Sequence, residues 1–265
     1  KFFKGNREKN AQSYLLKCLY NLDDSTGFYE QLDLMTAEGE ISPTIGSLTM
    51  RAENRYGVKR ANVFARDPFK YVLKKDLAER YDFEDVFVKT VKEALNDKVF
   101  SVKAQGLLTN GEQTAGNLFS KGTDSIKEIE RILHAEIDEY RERFQNCEEG
   151  FLINWPTQFE LYGWLINMKS GGELAAHMHE IGWISGAVYI NVPEKKQANS
   201  GNFVVCVDGE SSEESGSAGR EEIIEVNTGN LVLFPASLMH YTIPFESHEE
   251  RIVLAFDVRP VLRSS

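Results

Sequence analysis

From Phe151 onward the chain breaks into eight short, strand-like segments, at 160–168, 173–179, 183–192, 202–207, 222–227, 230–235, 238–244 and 250–258, each set off by turn residues. Short apolar runs at that spacing build antiparallel β folds, and eight of them fit a jelly roll. The stretch 208–222 interrupts the series with Asp208, Glu210, Glu213, Glu214, Glu221 and Glu222 against Arg220, among many Ser and Gly residues. It reads as a solvated surface loop.

The first half follows a helical period. Ala11, Tyr14, Leu15, Cys18 and Leu19 predict one buried helix face, and a second helix is expected from about 28 to 37. Ser42 and Pro43 then make an N-cap followed by proline at the first helical position. Ile45, Leu48, Ala52 and Tyr56 share a stripe there, and Gly57 marks the stop. Further helices are expected over 70–81 and 84–95. A long one is expected over 125–144, where Ser125 and Glu128 have capping-box spacing. Its face of Ile126, Ile129, Leu133, Ile137, Tyr140 and Phe144 should lie along a sheet. Between these helices, 106–117 is polar and glycine-rich, and reads either as a plain connector or as a substrate-facing loop. The 265 residues thus divide into a helical region, 1–100, and a β domain, 101–265, supported by helix 125–144.

Charge and cysteine usage narrow the function. Thirty basic against 41 acidic residues give a net charge of −11, the wrong sign for a nucleic-acid binder. No apolar run reaches the roughly 18 residues of a membrane helix, and the N-terminus has no signal-peptide layout. Cys18, Cys147 and Cys206 form no C-x-x-C pair, which argues against a disulfide framework or a thiolate zinc site. A protein of the cytoplasm is expected, and a start at Lys1 rather than Met is read either as a piece cut from a larger protein or as the trace of a removed tag.

The histidines carry the chemistry. His134 falls on the polar side of helix 125–144 and His248 in a turn-like acidic run. His177 and His179 stand two apart in a strand-like segment, and a strand sends residues i and i+2 to one face. His240 arrives 63 residues after His177, behind the glycine-led run 229–235. Three imidazoles on one face suit Fe, Zn, Cu or Ni and leave positions open for other ligands. Glu180 points the opposite way unless the strand ends or bulges at His179. Arg251 alternates with apolar neighbours in 250–256, and a half-buried guanidinium there needs a carboxylate, either from a neighbouring Glu or from a ligand.

The run 174–193 with its His-Met-His, the run 229–235, His240 and the run 250–256 together resemble iron(II)/2-oxoglutarate oxygenases of the kind often joined to tetratricopeptide repeats. The resemblance covers about 120 to 258, and the helical region 1–100 is similar to the end of such a repeat array. It implies an α+β chain whose double-stranded β-helix, a cupin-like jelly roll, has helices packed on one sheet. It also implies a dioxygenase that uses Fe(II), 2-oxoglutarate and O2, yields succinate and CO2, and hydroxylates a small-molecule or peptide substrate.

The superfamily pattern is H-x-D/E, a distal His, and an Arg some ten residues on. By that pattern His177, His179 and His240 would hold the iron, and Arg251, 11 residues after His240, would pair with the far carboxylate of 2-oxoglutarate. Tyr189 and Asn167 occupy positions that contact the co-substrate in related hydroxylases. One departure stands out: His179 replaces the usual carboxylate and raises the charge of the iron site by one. Trp183 and the Gly, Asn and Gln residues of 106–117 are expected to line a substrate channel.

Two other readings stay open. Gly171, His177, His179, Gly229, Pro235 and His240 match much of the two cupin motifs, which fits a three-histidine dioxygenase working without 2-oxoglutarate. That reading lacks the usual cupin glutamate and leaves Arg251 without a role. The other is a non-catalytic β-sandwich that serves as a binding module.

Overall fold

Local signals set the first three helices. In the computed structural model, which describes residues 2–96, 101–103, 105–209 and 219–261, they are α1 (Phe2–Asn21), α2 (Ser25–Ala37) and α3 (Pro43–Tyr56). Asp24 caps α2 by accepting from the Gly27 N–H at 3.0 Å. Ser42 caps α3 in the same way through Ile45, and Gly57 ends it in the left-handed region at φ 68°, a conformation glycine adopts without steric cost. The three helices share a cluster of Leu16, Tyr20, Phe28, Leu32, Met35, Ile45, Leu48 and Ala52. The buried face of α1 is not the expected one: Ala11, Tyr14, Leu15 and Cys18 are exposed, while Leu16 and Tyr20 are buried. The helix is apolar on two sides, and packing against α2 and α3 selects between them.

The stretch 70–81 is also not helical. After a 3₁₀ turn at Pro68–Tyr71, β1 (Leu73–Asp76) adds antiparallel to the strand at 230–233. Its Leu-Lys-Lys-Asp sequence has little strand propensity, and pairing with an open strand edge overrides that. A π-type turn at Glu84–Val88 leads into α4 (Lys89–Asn96). Then follow β2 (Val102–Lys103) and β3 (Leu108–Thr114), so 106–117 is largely a paired strand rather than a loop.

Helix α5 (Asp124–Arg143) is capped by Thr123, which accepts from the Ile126 N–H. Ser125 therefore lies inside the first turn, and Glu128 pairs with Arg131 instead of completing a capping box. A short α6 (Gly150–Ile153) precedes β4 (Phe159–His177), which joins the two expected segments 160–168 and 173–179. The remaining strands are β5 (Ile184–Asn191), β6 (Phe203–Cys206), β7 (Glu221–Ile224), β8 (Asn230–Pro235), β9 (Met239–Thr242) and β10 (Arg251–Pro260). Of the expected surface loop 208–222, residues 210–218 lie outside the described residues.

The strands form one curled antiparallel sheet in the order β1-β8-β5-β10-β4-β9-β6-β7, with β3 also on β4 and β2 on β3. Strand β4 pairs with β10 along 159–168 and with β9 at 174 and 177, which links the two halves of the curl. Helix α5 covers one face: Ile126, Ile129, Leu133, Ile137 and Tyr140 cluster with Leu161, Leu165, Leu231, Leu254 and Phe256. Strand alternation does the rest. Ile252, Leu254, Phe256 and Val258 of β10 join that core, while Arg251, Val253, Ala255 and Asp257 face a cavity on the other side. Phe64, Phe87 and Val91 belong to the sheet core too, while α1–α3 share a cluster of their own.

Candidate metal centre

His177 is the last residue of β4, and its partner across the ladder is His240 of β9. His179 follows in the turn, where its N–H donates to the Ala236 carbonyl at 3.3 Å. Register thus opposes two imidazoles, and the two-residue spacing adds the third. Ring centroids stand 4.3 Å apart for His177 and His240, 4.9 Å for His179 and His240, and 5.1 Å for His177 and His179. One ring nitrogen from each lies within 4.8 Å of the others.

Backbone carbonyls fix the tautomers of two rings. His177 Nδ1 is 2.8 Å from Ala175 O, and His240 Nδ1 is 3.3 Å from Leu238 O. A carbonyl only accepts, so each Nδ1 carries the proton and each Nε2 keeps a lone pair for the site. The Nε2 atoms of His177 and His179 stand 3.2 Å apart. Two facing lone pairs repel at that distance unless a cation lies between them. Nitrogens about 2.0–2.1 Å from one metal, at angles between square and tetrahedral, are roughly 3.0–3.4 Å apart. The spacing of this pair fits two ligands of one divalent transition metal, and imidazole is a good ligand for iron.

Glu180, the other candidate ligand, also lines the cavity onto which the histidines open, but its carboxylate bonds Lys17 of α1 at 2.5 Å and is not part of the group of three convergent nitrogens. Among the described residues the histidine group contains no carboxylate.

Burial pushes the His177 imidazole down to about 4, with repulsion from His179 adding to it. His240 is held well below its usual value by burial, with His177 and His179 adding. The unfolded chain takes up these protons near pH 6.5. A folded-state pKa below that value means stability is lost as pH falls from about 6.5 toward 4, because the unfolded state binds the proton first. For His177 alone the metal-free protein should lose about 2 kcal/mol between pH 7.5 and pH 5, at about 1.4 kcal/mol per pH unit below 6.5. Urea midpoints at the two pH values measure it, and metal-loaded protein should show at least as large a loss, because bound metal keeps the ligating imidazoles unprotonated in the folded state.

A residue that the sequence reading missed stands behind His179. Asp257, 2% exposed on β10, places Oδ1 2.6 Å from His179 Nδ1 and 2.9 Å from the Ser185 hydroxyl. Burial works to raise this carboxyl, but His179, Ser185 and Arg259 outweigh it and hold it below the ordinary range.

The histidines open on a cavity of about 390 Å³ whose walls include Trp164, Met168, Tyr189 and Phe203. Arg251 lines it at 2% exposure. Its Nε donates to Gly201 O at 3.2 Å and its guanidinium lies 5.2 Å from the Tyr189 ring centroid. No carboxylate pairs with Arg251 among the described residues. The neighbouring Glu250 instead accepts from Asn167 at 2.9 Å. Burial raises the Tyr189 phenol above its usual range against the pull of Arg251.

Three expectations need correction. Asn167 lies on the opposite face of β4 from Trp164, Ile166 and Met168, outside this cavity, so strand parity denies it the expected contact with the co-substrate. Trp183 does not line a channel: it donates to Phe151 O at 2.7 Å and packs on Phe64 in the core under α5. His134 is half-buried against Phe159 rather than solvent-facing. From 106–117, Gln113 does reach the cavity wall.

Residues 162–257 match the family described as "Putative 2OG-Fe(II) oxygenase". No curated protein sequence matches the chain. Among solved structures, a prolyl hydroxylase from Trichoplax adhaerens, in complex with a hypoxia inducible factor peptide fragment, is similar at TM-score 0.52 and 11% identity, over 81% of this chain and 89% of that one. The alpha-ketoglutarate-dependent epimerase SnoN from nogalamycin biosynthesis is similar at TM-score 0.51 and 11% identity, over 73% and 83%. The curled sheet is thus the double-stranded β-helix. No described helix is long and apolar enough to cross a membrane. The stretch 162–257, which contains all three histidines, Asp257 and Arg251, matches the 2OG-Fe(II) oxygenase family, and the protein is an iron(II)- and 2-oxoglutarate-dependent dioxygenase.

Proposed function

We propose that His177, His179 and His240 hold Fe(II) through Nε2, that Arg251 and Tyr189 receive the far carboxylate of 2-oxoglutarate, and that the enzyme hydroxylates a small molecule or peptide. The carrying observation is a fully buried guanidinium with no carboxylate partner among the described residues, lining the same cavity as three convergent imidazoles. Bound there, iron supplies the activation of O2 that couples breakdown of 2-oxoglutarate to oxidation of the second substrate. The chain's own residues prepare the site. Ala175 and Leu238 carbonyls hold two rings in the ligating tautomer, and Trp164, Met168 and Phe203 keep the cavity wall apolar. Lys103 and Gln105 also line the cavity and offer polar contacts to an entering substrate.

The helices α1–α3, with their own apolar cluster, we read as tetratricopeptide-like. The cytoplasm suits the three free thiols Cys18, Cys147 and Cys206. To test the reaction, the protein is incubated with Fe(II), O2, labelled 2-oxoglutarate and panels of peptides and small metabolites. Succinate should form in an iron-dependent way and rise with the right substrate. Succinate at the level of an iron-free control across the panel would contradict the proposal.

A further inference from the structure

Three neutral imidazoles bring no negative charge to a divalent cation in a largely buried site. Among the described residues, the carboxylate that bonds one of these rings is Asp257. His177 and His240 lean on uncharged carbonyls, whereas the Nδ1 of His179 meets this carboxylate at 2.6 Å. We propose that Asp257 is a positioning residue for metal binding: through its bond to His179 it fixes that ring with Nε2 toward the cation and gives the three-histidine set the negative charge it lacks. The inference rests on the three-histidine reading above.

The surroundings are built to keep the carboxylate in place. Asp257 pairs in register with Ser185 of β5, whose hydroxyl donates to the same Oδ1 at 2.9 Å. Oδ2 lies 3.5 Å from Arg259 Nη2, a looser contact that leaves His179 the closer partner. Room for the group depends on Gly182, where a Cβ would stand 2.8 Å from Oδ1. A carboxylate behind a ligating imidazole raises the basicity of the ligand and locks its tautomer, and loss of such a partner typically weakens metal binding about 10–100-fold. The charge that this oxygenase pattern usually supplies directly, at the position of His179, would here act through the imidazole.

A double-mutant cycle separates this role from simple support of the strand. Co(II) is titrated into the parent protein, Asp257→Asn, His179→Asp and the double variant, with its visible absorption giving the dissociation constant. Asp257→Asn should weaken binding roughly 10–100-fold in the parent. In the His179→Asp background the same change should leave binding unchanged or tighten it, because the ligand then carries its own charge beside a second carboxylate. An equal loss in both backgrounds, or no loss in the parent, overturns the role of Asp257 alone. A parent that binds no Co(II) overturns the three-histidine reading and this inference together. Should a variant fail to fold, proton NMR of the Zn(II)-loaded parent decides. The His179 Nδ1–H should resonate downfield of those of His177 and His240, and an equal position overturns the proposal.

Discussion

Alanine at His177, His179 or His240 is expected to remove most bound iron while the fold persists. Each variant deletes one of the three proposed ligands, so the loss should exceed the roughly 10–100-fold that removing an outer partner costs. The fold should survive because the main core, from Ile129 and Leu133 to Leu254 and Phe256, lies on the α5 side of the sheet, away from the imidazoles. Glu180→Ala should keep its iron, since that carboxylate is engaged with Lys17. Metal analysis after desalting, alongside far-UV circular dichroism, reads both quantities. Iron lost from the Glu180 variant and retained by the His179 variant would replace the three-histidine set with a carboxylate triad.

Arg251→Ala should weaken 2-oxoglutarate binding and spare iron. Truncating one partner of a buried charge pair costs on the order of 2–5 kcal/mol, which at about 1.4 kcal/mol per decade is roughly 30-fold to several thousandfold in affinity. Lysine should restore only part of this, because a point charge does not reproduce the planar two-pronged contact. Asn167→Ala serves as the control, since Asn167 faces the other side of β4 and should leave the affinity unchanged. Equilibrium dialysis of labelled 2-oxoglutarate against metal-loaded protein measures all four. A three-histidine cupin chemistry has no need of Arg251, and unchanged binding in the alanine variant would favour it.

What was legible in the sequence follows from how local each signal is. The caps at Ser42 and Gly57, and the shared face of His177 and His179, depend on neighbours within a few positions and could be read directly. Strand β1 depends on β8, more than 150 residues away, and its lysines gave no hint of it. The ten-residue spacing of Asn167 from His177 carries no face information of its own, because β4 is irregular between 168 and 174. Only the parity with Trp164, Ile166 and Met168 sets which side Asn167 faces. Asp257 left a signal that went unread: it shares the parity of Arg251 on a strand whose intervening residues are apolar, so both charges had to face the same cavity. The choice between the two apolar sides of α1 was not readable, because only the packing of α2 and α3 makes it.

The central claim is that iron and 2-oxoglutarate meet in one cavity, between the three histidines and Arg251. Anaerobic titration of 2-oxoglutarate into the Fe(II)-loaded protein tests it most directly, through the metal-to-ligand absorption that appears when the keto acid reaches the iron. The account predicts a saturable band complete at one equivalent, much weakened in Arg251→Ala. An iron-loaded parent that develops no band would contradict it.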